Sequence, residues 1–536
     1  MKGPTARAGV RTPALVAAIA ATGLLLRLAG VRWGLPNSDH YFSYHPDEVF
    51  VLVPSLGFAH GEWNPRFFNY GTLYLYLVGI PAVALGLAPD PAEFPAGLRH
   101  LHLLGRLITA LMGAATVPVL YWALRGEGRR LAALAAALLA LCPLHIVNSH
   151  YATVDVPATF WLTVALAIAL SCAARPSGRG GLLLGMAVGL AAATKYNAGL
   201  FLLPAALAPV LAPPRSWRWS WGLGVLGGAV VGFIIGCPYF WTEDFRRGVL
   251  FELQHARVGG TLAFVDTGSG WVYHLLRGLP AGLGYGLVAA VALGVAAAVA
   301  LPSRAVRLAL VWSAFYLLVI GAGRERFIRY LVPLTPFLAV LGAAGLLWPL
   351  QALRRPHSRF IAGLVAAVVV ALTALYSAGL VHNVDGPDPR DQAWHELRPA
   401  VHEGGLRVGF VDRPWFWHPP VSPYNGGPSP YSRPFFERWN EMEGGRLVIT
   451  GWDVRALTDG APDYFVLADL EAQDLLRLRR PEVVSFLAAL DDAYRERTEY
   501  RRPTPRFAWL APGRHWAPPD WLYASPHIIV YSHPEP

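Results

Sequence analysis

The chain has 536 residues, of which 54% are hydrophobic and only 15% are charged, and its mean hydropathy is positive at +0.37. The apolar residues come in long runs, which excludes an ordinary soluble protein and is typical of a protein that crosses a membrane many times. The formal charge of +10 does not indicate nucleic-acid binding, because the basic residues lie in short clusters between the apolar runs, where they encode orientation in a bilayer.

Apolar runs of about 20 residues predict an α-helical polytopic membrane protein with about eleven transmembrane helices, a cytoplasmic N-terminus and an exterior C-terminus. The first four predicted spans cover residues 13–31, 100–122, 131–144 and the stretch from 157 to the loop RPSGRG. Residues 181–211 are predicted to form two spans that meet near Lys195, and a seventh span ends before CPYFWTED. One helix lies on each side of SRAVR, another lies between RERFIRY and RRPHSR, and the last ends near Leu380. Each predicted cytoplasmic loop carries at least two basic residues, as the positive-inside rule requires.

The segment GTLYLYLVGIPAVALGLA, residues 71–88, is apolar but is not predicted to cross the bilayer. If it crossed, every later loop would change sides and the basic clusters would face the exterior. We therefore place it in the membrane interface, a depth that suits its tyrosines, as part of a first exterior loop that covers residues 32–99.

The composition changes near His382, where charged residues, prolines and tryptophans become frequent and no run is long enough to span a membrane. The short apolar runs RLVIT, PDYFVLAD and PHIIVYS predict β-strands, and EAQDLLRLRR and PEVVSFLAALDDAY have helical spacing. The chain thus divides into a transmembrane domain, residues 1–381, and a small exterior α/β domain, residues 382–536.

The predicted topology brings charged residues from distant loops to the exterior face. They are His45, Asp47, Glu48, His150, Asp155, Lys195, Arg324, Arg326 and Arg329, with Arg106 just inside the second span. Ionisable groups at membrane depth are costly and usually line a functional cavity. Carboxylates and cations gathered at one face suggest chemistry on an anionic, membrane-borne substrate.

Each of these residues also has a structural interpretation. The Asp47-Glu48 pair resembles a solvated helix cap that the helix dipole favours, and Asp155 before Val156-Pro157 resembles the start of the next helix. Lys195 resembles a lysine that snorkels from a helix end. His150 has no second metal ligand at helical spacing, so a metal site is not indicated.

At these positions the chain resembles the family 39 glycosyltransferases of the GT-C class, which include protein O-mannosyltransferases, aminoarabinose transferases and lipopolysaccharide-core glycosyltransferases. The resemblance extends over residues 15–345 and is carried by HPDE, GRLITALMGAATVPVLYWAL, SHYATVDVPATFWLTVALAIAL, ATKYNAGLFLLP and RFIRYLVPLTPFLAVLGA, in this order. The order of the five motifs along the chain carries the resemblance. The chain lacks the soluble repeats of eukaryotic protein mannosyltransferases, and its C-terminal domain carries no motif that we can assign.

The resemblance implies an enzyme of the plasma (inner) membrane that moves a sugar from a polyprenyl-phosphate donor to a hydroxyl acceptor on the extracytoplasmic face, with inversion. A phosphate leaving group needs no general acid, so one carboxylate base and nearby cations suffice. The resemblance implies Asp47 as the base, Glu48 beside it and Asp155 as a second exterior acid, and it places Arg106, Lys195 and Arg329 near the lipid phosphate. From the basic cluster itself, Arg326 is predicted to bind the phosphate as well. Further substrate contacts are expected from His45, His150, Tyr196 and Tyr330. No cofactor is required, although the resemblance admits a divalent cation at the acidic loops.

A transporter or flippase of lipid-linked saccharides is the alternative from another class. It too would place cations near a lipid phosphate, but it would bury charges at the midplane of broken helices. The clustering of charges at one face and the adjacent carboxylates of Asp47 and Glu48 favour the enzyme.

Overall fold

The computed structural model describes residues 8–87, 94–213, 215–424, 432–442 and 444–533. Within them, six helical stretches are long and apolar enough to cross a membrane, and they begin at Leu98, Asp155, Trp219, Arg304, Ile328 and Pro356. Further apolar helices are shorter than 18 residues, so helix length alone does not establish the predicted eleven spans. The result is a multi-pass helical membrane protein with a small C-terminal α/β domain, as the sequence predicts.

The helices follow one another with short connections. Their bounds are α1 Ala8–Leu28, α2 Glu48–Leu52, α3 Leu73–Ala84, α4 Phe94–Leu124, α5 Arg129–Ala140, α6 Pro143–Asn148, α7 Asp155–Cys172, α8 Gly178–Thr194, α9 Leu202–Leu207, α10 Trp219–Gly236, α11 Glu243–Val258, α12 Gly270–Tyr273, α13 Leu279–Leu283, α14 Tyr285–Ala300, α15 Arg304–Gly321, α16 Thr335–Ala352, α17 Pro356–Val384, α18 Pro389–His402, α19 Ser432–Met442, α20 Asp469–Arg477 and α21 Pro481–Ala493. The span predicted over residues 131–144 is thus observed as α5 and α6, and the run 181–211 breaks after Thr194 as predicted.

Helix α16 is the centre of the bundle. Every residue from Thr335 to Leu346 is buried, and α16 packs against α5, α14, α15 and α17. A helix that is apolar on all sides can be buried on all sides, which explains this central position. The 3-10 turn Ile328–Leu334 leads directly into α16, so the bundle core holds one end of the segment that carries Arg329.

Helices α8 and α10 approach each other closely because both carry glycines at every fourth position. A Cβ atom on Gly185 would lie 2.1 Å from the carbonyl oxygen of Val225, and one on Gly228 would lie 2.1 Å from that of Leu182. Only glycine allows backbones to approach to this distance. The seam fixes the end of α8, where Lys195 follows in an extended conformation.

The first loop contains α2, the 3-10 turn Val53–His60 and α3. Helix α3 has 12 residues and is about 18 Å long, which is shorter than the hydrocarbon core of a bilayer. Its inward residues Tyr74, Leu75 and Val78 are fully buried against the rest of the loop and against α4 and the segment before α7. The loop is therefore a packed unit, and the interfacial position of residues 71–88 stays a prediction.

The C-terminal domain contains a five-stranded sheet in the order β2-β1-β3-β5-β4. Its strands are β1 Val408–Phe410, β2 Leu447–Ile449, β3 Tyr464–Ala468, β4 Glu496–Tyr500 and β5 Ile528–Ser532, with β1, β2 and β3 parallel and β5 antiparallel to β3 and β4. Side chains of β3 alternate between the two faces: Val466 and Ala468 pack with α18, whereas Phe465 and Leu467 pack with α21.

The C-terminal domain docks on the first loop through a buried aspartate. Asp388 lies just before α18 and accepts hydrogen bonds from the indole of Trp33 at 3.0 Å, from Arg390 at 2.7 Å and from Arg502 at 3.1 Å. Tyr44 in the same loop donates a hydrogen bond to Asp391. These contacts join the domain to the end of the bundle that carries the first loop, which we call the site face.

At the opposite end of the bundle, the loops that contain the basic clusters meet. Ser303 donates a hydrogen bond to Glu127 at 2.7 Å, and Arg307 donates one to the carbonyl of Leu211 at 3.0 Å. Helix α15 separates this end from the site face by 18 residues, about 27 Å. The polar loops therefore form two distinct ends, as expected for a membrane-spanning bundle.

Candidate functional site

The acidic motif of the first loop separates into two carboxylates with different surroundings. Asp47 precedes α2 and Glu48 begins it, but the Asp47 side chain makes no capping hydrogen bond. Glu48 points inward and is fully buried, whereas the side chain of Asp47 keeps 18% of its surface exposed. A solvated helix cap, the structural interpretation of this pair, does not describe either residue.

Glu48 and Arg106 form a buried ion pair, and every N–H donor of the arginine is used within the protein. The guanidinium donates two hydrogen bonds of 2.7 Å to the Glu48 carboxylate, and its other N–H groups bond Ser43 and the carbonyls of Val31 and Trp33. An arginine has five N–H donors, so none remains for a phosphate. Burial would raise the pKa of Glu48, but the guanidinium holds it down at about 2. This geometry favours a structural role for the pair over the predicted catalytic role of Glu48 and phosphate-binding role of Arg106.

Asp47 instead faces Arg329, which reaches it from the turn between α15 and α16. The Asp47 carboxylate lies 3.3 Å from the guanidinium of Arg329. On its other side, Arg329 lies 3.7 Å from the carboxylate of Asp520 in the C-terminal domain. The guanidinium also covers the ring of Phe327, at 3.9 Å from the ring centroid. The predicted base and one predicted phosphate-binding cation are therefore neighbours.

Asp155 and Lys195 form a second ion pair at the site face. The ammonium of Lys195 lies 2.5 Å from the carboxylate of Asp155, and both side chains are more than 90% buried. Helix α7 begins at Asp155, yet the N-cap position is occupied by Val154, which has no side-chain cap. The Asp155 carboxylate therefore pairs with Lys195 and does not cap the helix. The Lys195 side chain stays inside the protein and does not extend to the membrane surface.

Tyr330 connects the two ion pairs. Its ring centroid is 5.1 Å from the Lys195 ammonium and 5.9 Å from the guanidinium carbon of Arg329. Two cations thus lie near one aromatic ring, with Asp47 beside one of them and Asp155 beside the other. This group of five residues, Asp47, Asp155, Lys195, Arg329 and Tyr330, is the candidate site.

The remaining predicted site residues surround this group. The ring of His45 packs on Tyr151 at 4.2 Å, its Nδ1 accepts the N–H of Asp47 at 3.3 Å, and burial lowers its pKa. The Tyr196 hydroxyl lies 2.9 Å from the Phe68 carbonyl and 3.0 Å from that of Tyr70, and it holds the first loop.

Two predicted residues lie apart from the candidate site. Nε2 of His150 donates to the carbonyl of Leu26 at 3.0 Å, which fixes the end of α1. Arg326 donates to the hydroxyl of Thr267 and lies over the ring of Tyr273, away from Lys195 and Asp155. The described part of the chain contains no cluster of three or more His, Cys, Asp or Glu side chains that would hold a metal ion.

Three site residues were missed by the sequence analysis. Asp520 accepts the backbone N–H groups of Ile328 and Arg329 at 3.0 and 3.2 Å, and burial raises its pKa to about 6. The ring of Tyr523 packs edge-on against His45 at 5.7 Å. Both come from the C-terminal domain and lie in no recognisable motif. Glu252 on α11 is the third, and it lies in no motif that the sequence analysis singled out.

Comparison with known proteins supports the resemblance seen in the sequence. Residues 99–228 match the family described as dolichyl-phosphate-mannose-protein mannosyltransferase. The undecaprenyl phosphate-α-4-amino-4-deoxy-L-arabinose arabinosyl transferase of Pseudomonas aeruginosa (strain UCBPP-PA14) is 29% identical over 259 residues, which are 44% of this chain and 45% of that protein. The protein of the same description from Pseudomonas paraeruginosa is 29% identical over 258 residues, again 44% and 45% of the two chains. The aligned region thus spans less than half the length of these relatives.

A solved structure shows the same fold over the whole chain. The crystal structure of ArnT from Cupriavidus metallidurans bound to undecaprenyl phosphate superposes with a TM-score of 0.52 and 17% sequence identity, and covers 98% of this chain and 100% of that one. At 17% sequence identity, this superposition establishes that the two chains share an architecture. The predicted GT-C fold and the predicted relation to family 39 glycosyltransferases are confirmed.

Proposed function

Because this chain has the GT-C fold and is related to the family 39 glycosyltransferases, we propose that it is an integral-membrane glycosyltransferase. It moves a sugar from a polyprenyl-phosphate donor to a hydroxyl acceptor. The observation that carries the proposal is that Lys195 and Arg329 both lie near the ring centroid of Tyr330, at 5.1 and 5.9 Å, with the partly exposed carboxylate of Asp47 beside Arg329. The names of the curated relatives and the lipid in the ArnT structure support a polyprenyl-phosphate donor.

In this mechanism, Lys195 and Arg329 hold the donor phosphate. The bond between the anomeric carbon and the phosphate oxygen breaks, and the electron pair stays on the phosphate, whose negative charge increases. Nearby cations stabilise that charge more in the transition state than in the bound donor. Arg329 suits the task because its planar fork binds phosphate oxygens in pairs.

Asp47 orients the acceptor hydroxyl and receives its proton as the new bond forms. A single displacement with one base inverts the configuration at the anomeric carbon. His45 fixes the backbone of Asp47, and Arg329 holds its carboxylate until the donor phosphate competes for the guanidinium. Glu48 and Arg106 position the start of α2 beneath this group.

We also propose that the site face lies on the extracytoplasmic side of the plasma membrane. The support is the positive-inside rule, because the basic clusters gather at the opposite end of the bundle. On this orientation the C-terminal domain covers the site from the exterior, where a lipid-linked sugar and an envelope acceptor would meet.

The proposed function is tested by comparing the lipid-linked and envelope glycans of cells with and without the protein by mass spectrometry. The wild-type protein should add one sugar to a hydroxyl acceptor. Asp47→Asn should abolish that transfer but leave donor binding nearly intact, because it removes the base and keeps the shape. Asp39→Asn is a matched control, since Asp39 lies in the same loop but is exposed and pairs with Arg398 at the surface. Identical glycans with and without the wild-type protein would refute the proposal.

A further inference from the structure

Helix α11 presents one acidic side chain to the candidate site. Phe245, Gly248 and Glu252 lie on one face of this helix, spaced by three and four residues. The ring of Phe245 packs edge-on against Phe68 at 5.7 Å, and a Cβ on Gly248 would lie 2.6 Å from the carbonyl group of Phe68. The helix is therefore pressed onto the first loop, and Glu252, one turn further on, is directed to the same side.

Charged groups from three other parts of the chain act on Glu252. The charges of Lys195 at the end of α8, Arg329 in the turn before α16 and Asp47 in the first loop act on its carboxyl group. The charge of Glu252 also acts on the phenol groups of Tyr70 in the first loop, Tyr196 after α8 and Tyr330 after Arg329. The carboxyl group thus borders the same space as the two cations that we assign to the donor phosphate.

Among the residues that the structure describes, Glu252 differs from the other acids of the site because it has no hydrogen-bond or ion-pair partner. Asp47, Asp155 and Glu48 each pair with a cation, at 3.3, 2.5 and 2.7 Å. Glu252 is half-buried and forms no hydrogen bond or ion pair with any residue that the structure describes. Burial raises its pKa to about 7, against the opposing charges of Lys195 and Arg329. An unpaired carboxyl group of this kind can gain or lose a proton near neutral pH.

Resting on the proposed function, we infer that Glu252 takes up the proton that the acceptor hydroxyl loses, after Asp47 has received it. The hydroxyl oxygen bonds to the anomeric carbon, the bond from that carbon to the phosphate oxygen breaks, and the electron pair stays on the phosphate. The proton passes from the hydroxyl to Asp47 and then to Glu252. Asp47 is left ionised and can pair with Arg329 again, while protonated Glu252 no longer repels the more negative phosphate. Asp47 makes the contact with the acceptor. Glu252 does not touch the acceptor and acts through Asp47, as a positioning residue that accepts its proton.

The first test uses the pH dependence of turnover in detergent-purified protein. The donor probes are undecaprenyl phosphate-α-4-amino-4-deoxy-L-arabinose and a dolichyl-phosphate mannose. Wild-type turnover should rise with pH through about 7, because Glu252 must be ionised to receive the proton. Glu252→Gln should remove this rise and lower turnover at neutral pH by about tenfold, with little change in the apparent donor affinity. Glu252→Asp should retain a pH-dependent rise.

The second test does not require turnover. Undecaprenyl phosphate carries the charge of the departing phosphate, so its binding to the wild-type protein at pH 7 should protonate Glu252. Infrared difference spectroscopy should show a protonated carboxyl band that is absent from Glu252→Gln. Glu243→Gln is the matched control for both tests, since Glu243 lies on the same helix but pairs with Arg246 and Arg247 in solvent.

The outcomes separate this inference from the proposed function. Identical cellular glycans with and without the wild-type protein, together with no carboxyl band on binding the lipid phosphate, would overturn both. An active wild-type protein whose pH profile survives Glu252→Gln would overturn only the role of Glu252. If Glu252→Gln tightens donor binding and keeps full turnover, Glu252 only offsets the positive charge of Lys195 and Arg329. That result would also overturn the inference, because another group would then accept the proton.

Discussion

Single residues of the site illustrate both what sequence patterns reveal and what they miss. Asp47, Lys195 and Arg329 were predicted from local motifs and from the side of the membrane that each motif reaches, and the structure brings all three around Tyr330. Asp520 lies 191 positions after Arg329, and it contacts Arg329 because the C-terminal domain docks on the bundle. Spacing and hydropathy report on neighbours along the chain, so a contact made by tertiary docking leaves no such trace.

Asp520 offers a test at this scale, because its carboxylate accepts the backbone N–H groups of Ile328 and Arg329 and faces the Arg329 side chain. Asp520→Asn replaces one acceptor by a donor that faces those N–H groups. Leaving a buried donor unpaired costs about 1 to 3 kcal/mol. We therefore expect the thermal midpoint to fall by several degrees, and because Arg329 loses its backbone anchor and a counter-charge, kcat/KM for the donor should also fall by roughly one to two decades.

The control for Asp520 is Asp492→Asn, at an exposed position of the same domain. Donor titrations and thermal unfolding should be measured on both purified variants. If Asp520→Asn lowers the thermal midpoint and leaves kcat/KM at the wild-type value, Asp520 is a docking residue without influence on Arg329.

At the scale of elements, hydropathy predicted the helices well but not how they pack. The strands at RLVIT, PDYFVLAD and PHIIVYS were predicted, whereas β1 and β4 were missed. Strand β4 has the sequence ERTEY with four exposed residues, so it shows no apolar run. The seam between α8 and α10 was also missed, although its glycines recur at every fourth position and that pattern is visible in the sequence.

Neighbouring glycines on α10 allow this seam to be tested. Gly228→Ala would put a Cβ atom 2.1 Å from the carbonyl oxygen of Leu182, and the helices must separate to accept it. Overpacking of this kind typically costs about 1 to 3 kcal/mol, so the thermal midpoint in detergent should fall by several degrees. Gly227→Ala meets no atom within 4 Å and should be neutral or slightly stabilising, because alanine favours a helix over glycine. Equal midpoints for the two variants would contradict the close seam.

At the scale of the whole molecule, the site depends on docking between parts that are distant in sequence. The first loop supplies Asp47, the bundle supplies Lys195 and Arg329, and the C-terminal domain supplies Asp520. The change of composition near His382 predicted a separate domain but gave no sign that it would complete the site. A domain boundary is a local property of composition, whereas the docked surface is not.

Asp388 is the buried centre of this docking. It pairs with Arg390 and Arg502, which are 0% and 8% exposed, and it accepts the indole N–H of Trp33 in the first loop. Asp388→Asn leaves two buried cations without a counter-charge, a change that typically costs about 3 to 5 kcal/mol. We expect faster hydrogen exchange in α18 and the first loop, and no change in α8 and α10. Asp385→Asn, at an exposed position three residues earlier, is the control.

The same pair predicts how docking responds to acid. Burial would raise the pKa of Asp388, but Arg390 and Arg502 hold it below its usual range. A carboxyl group whose folded-state pKa is lowered stabilises the fold above its unfolded pKa, and this stabilisation is lost as the pH falls through the folded value. Protection of wild-type α18 from exchange, measured relative to an unstructured chain at the same pH, should therefore stay high at neutral pH and fall only below about pH 4, whereas Asp388→Asn should be weakly protected at both. Slow exchange in Asp388→Asn at neutral pH would show that the apolar contacts hold the domain without this aspartate.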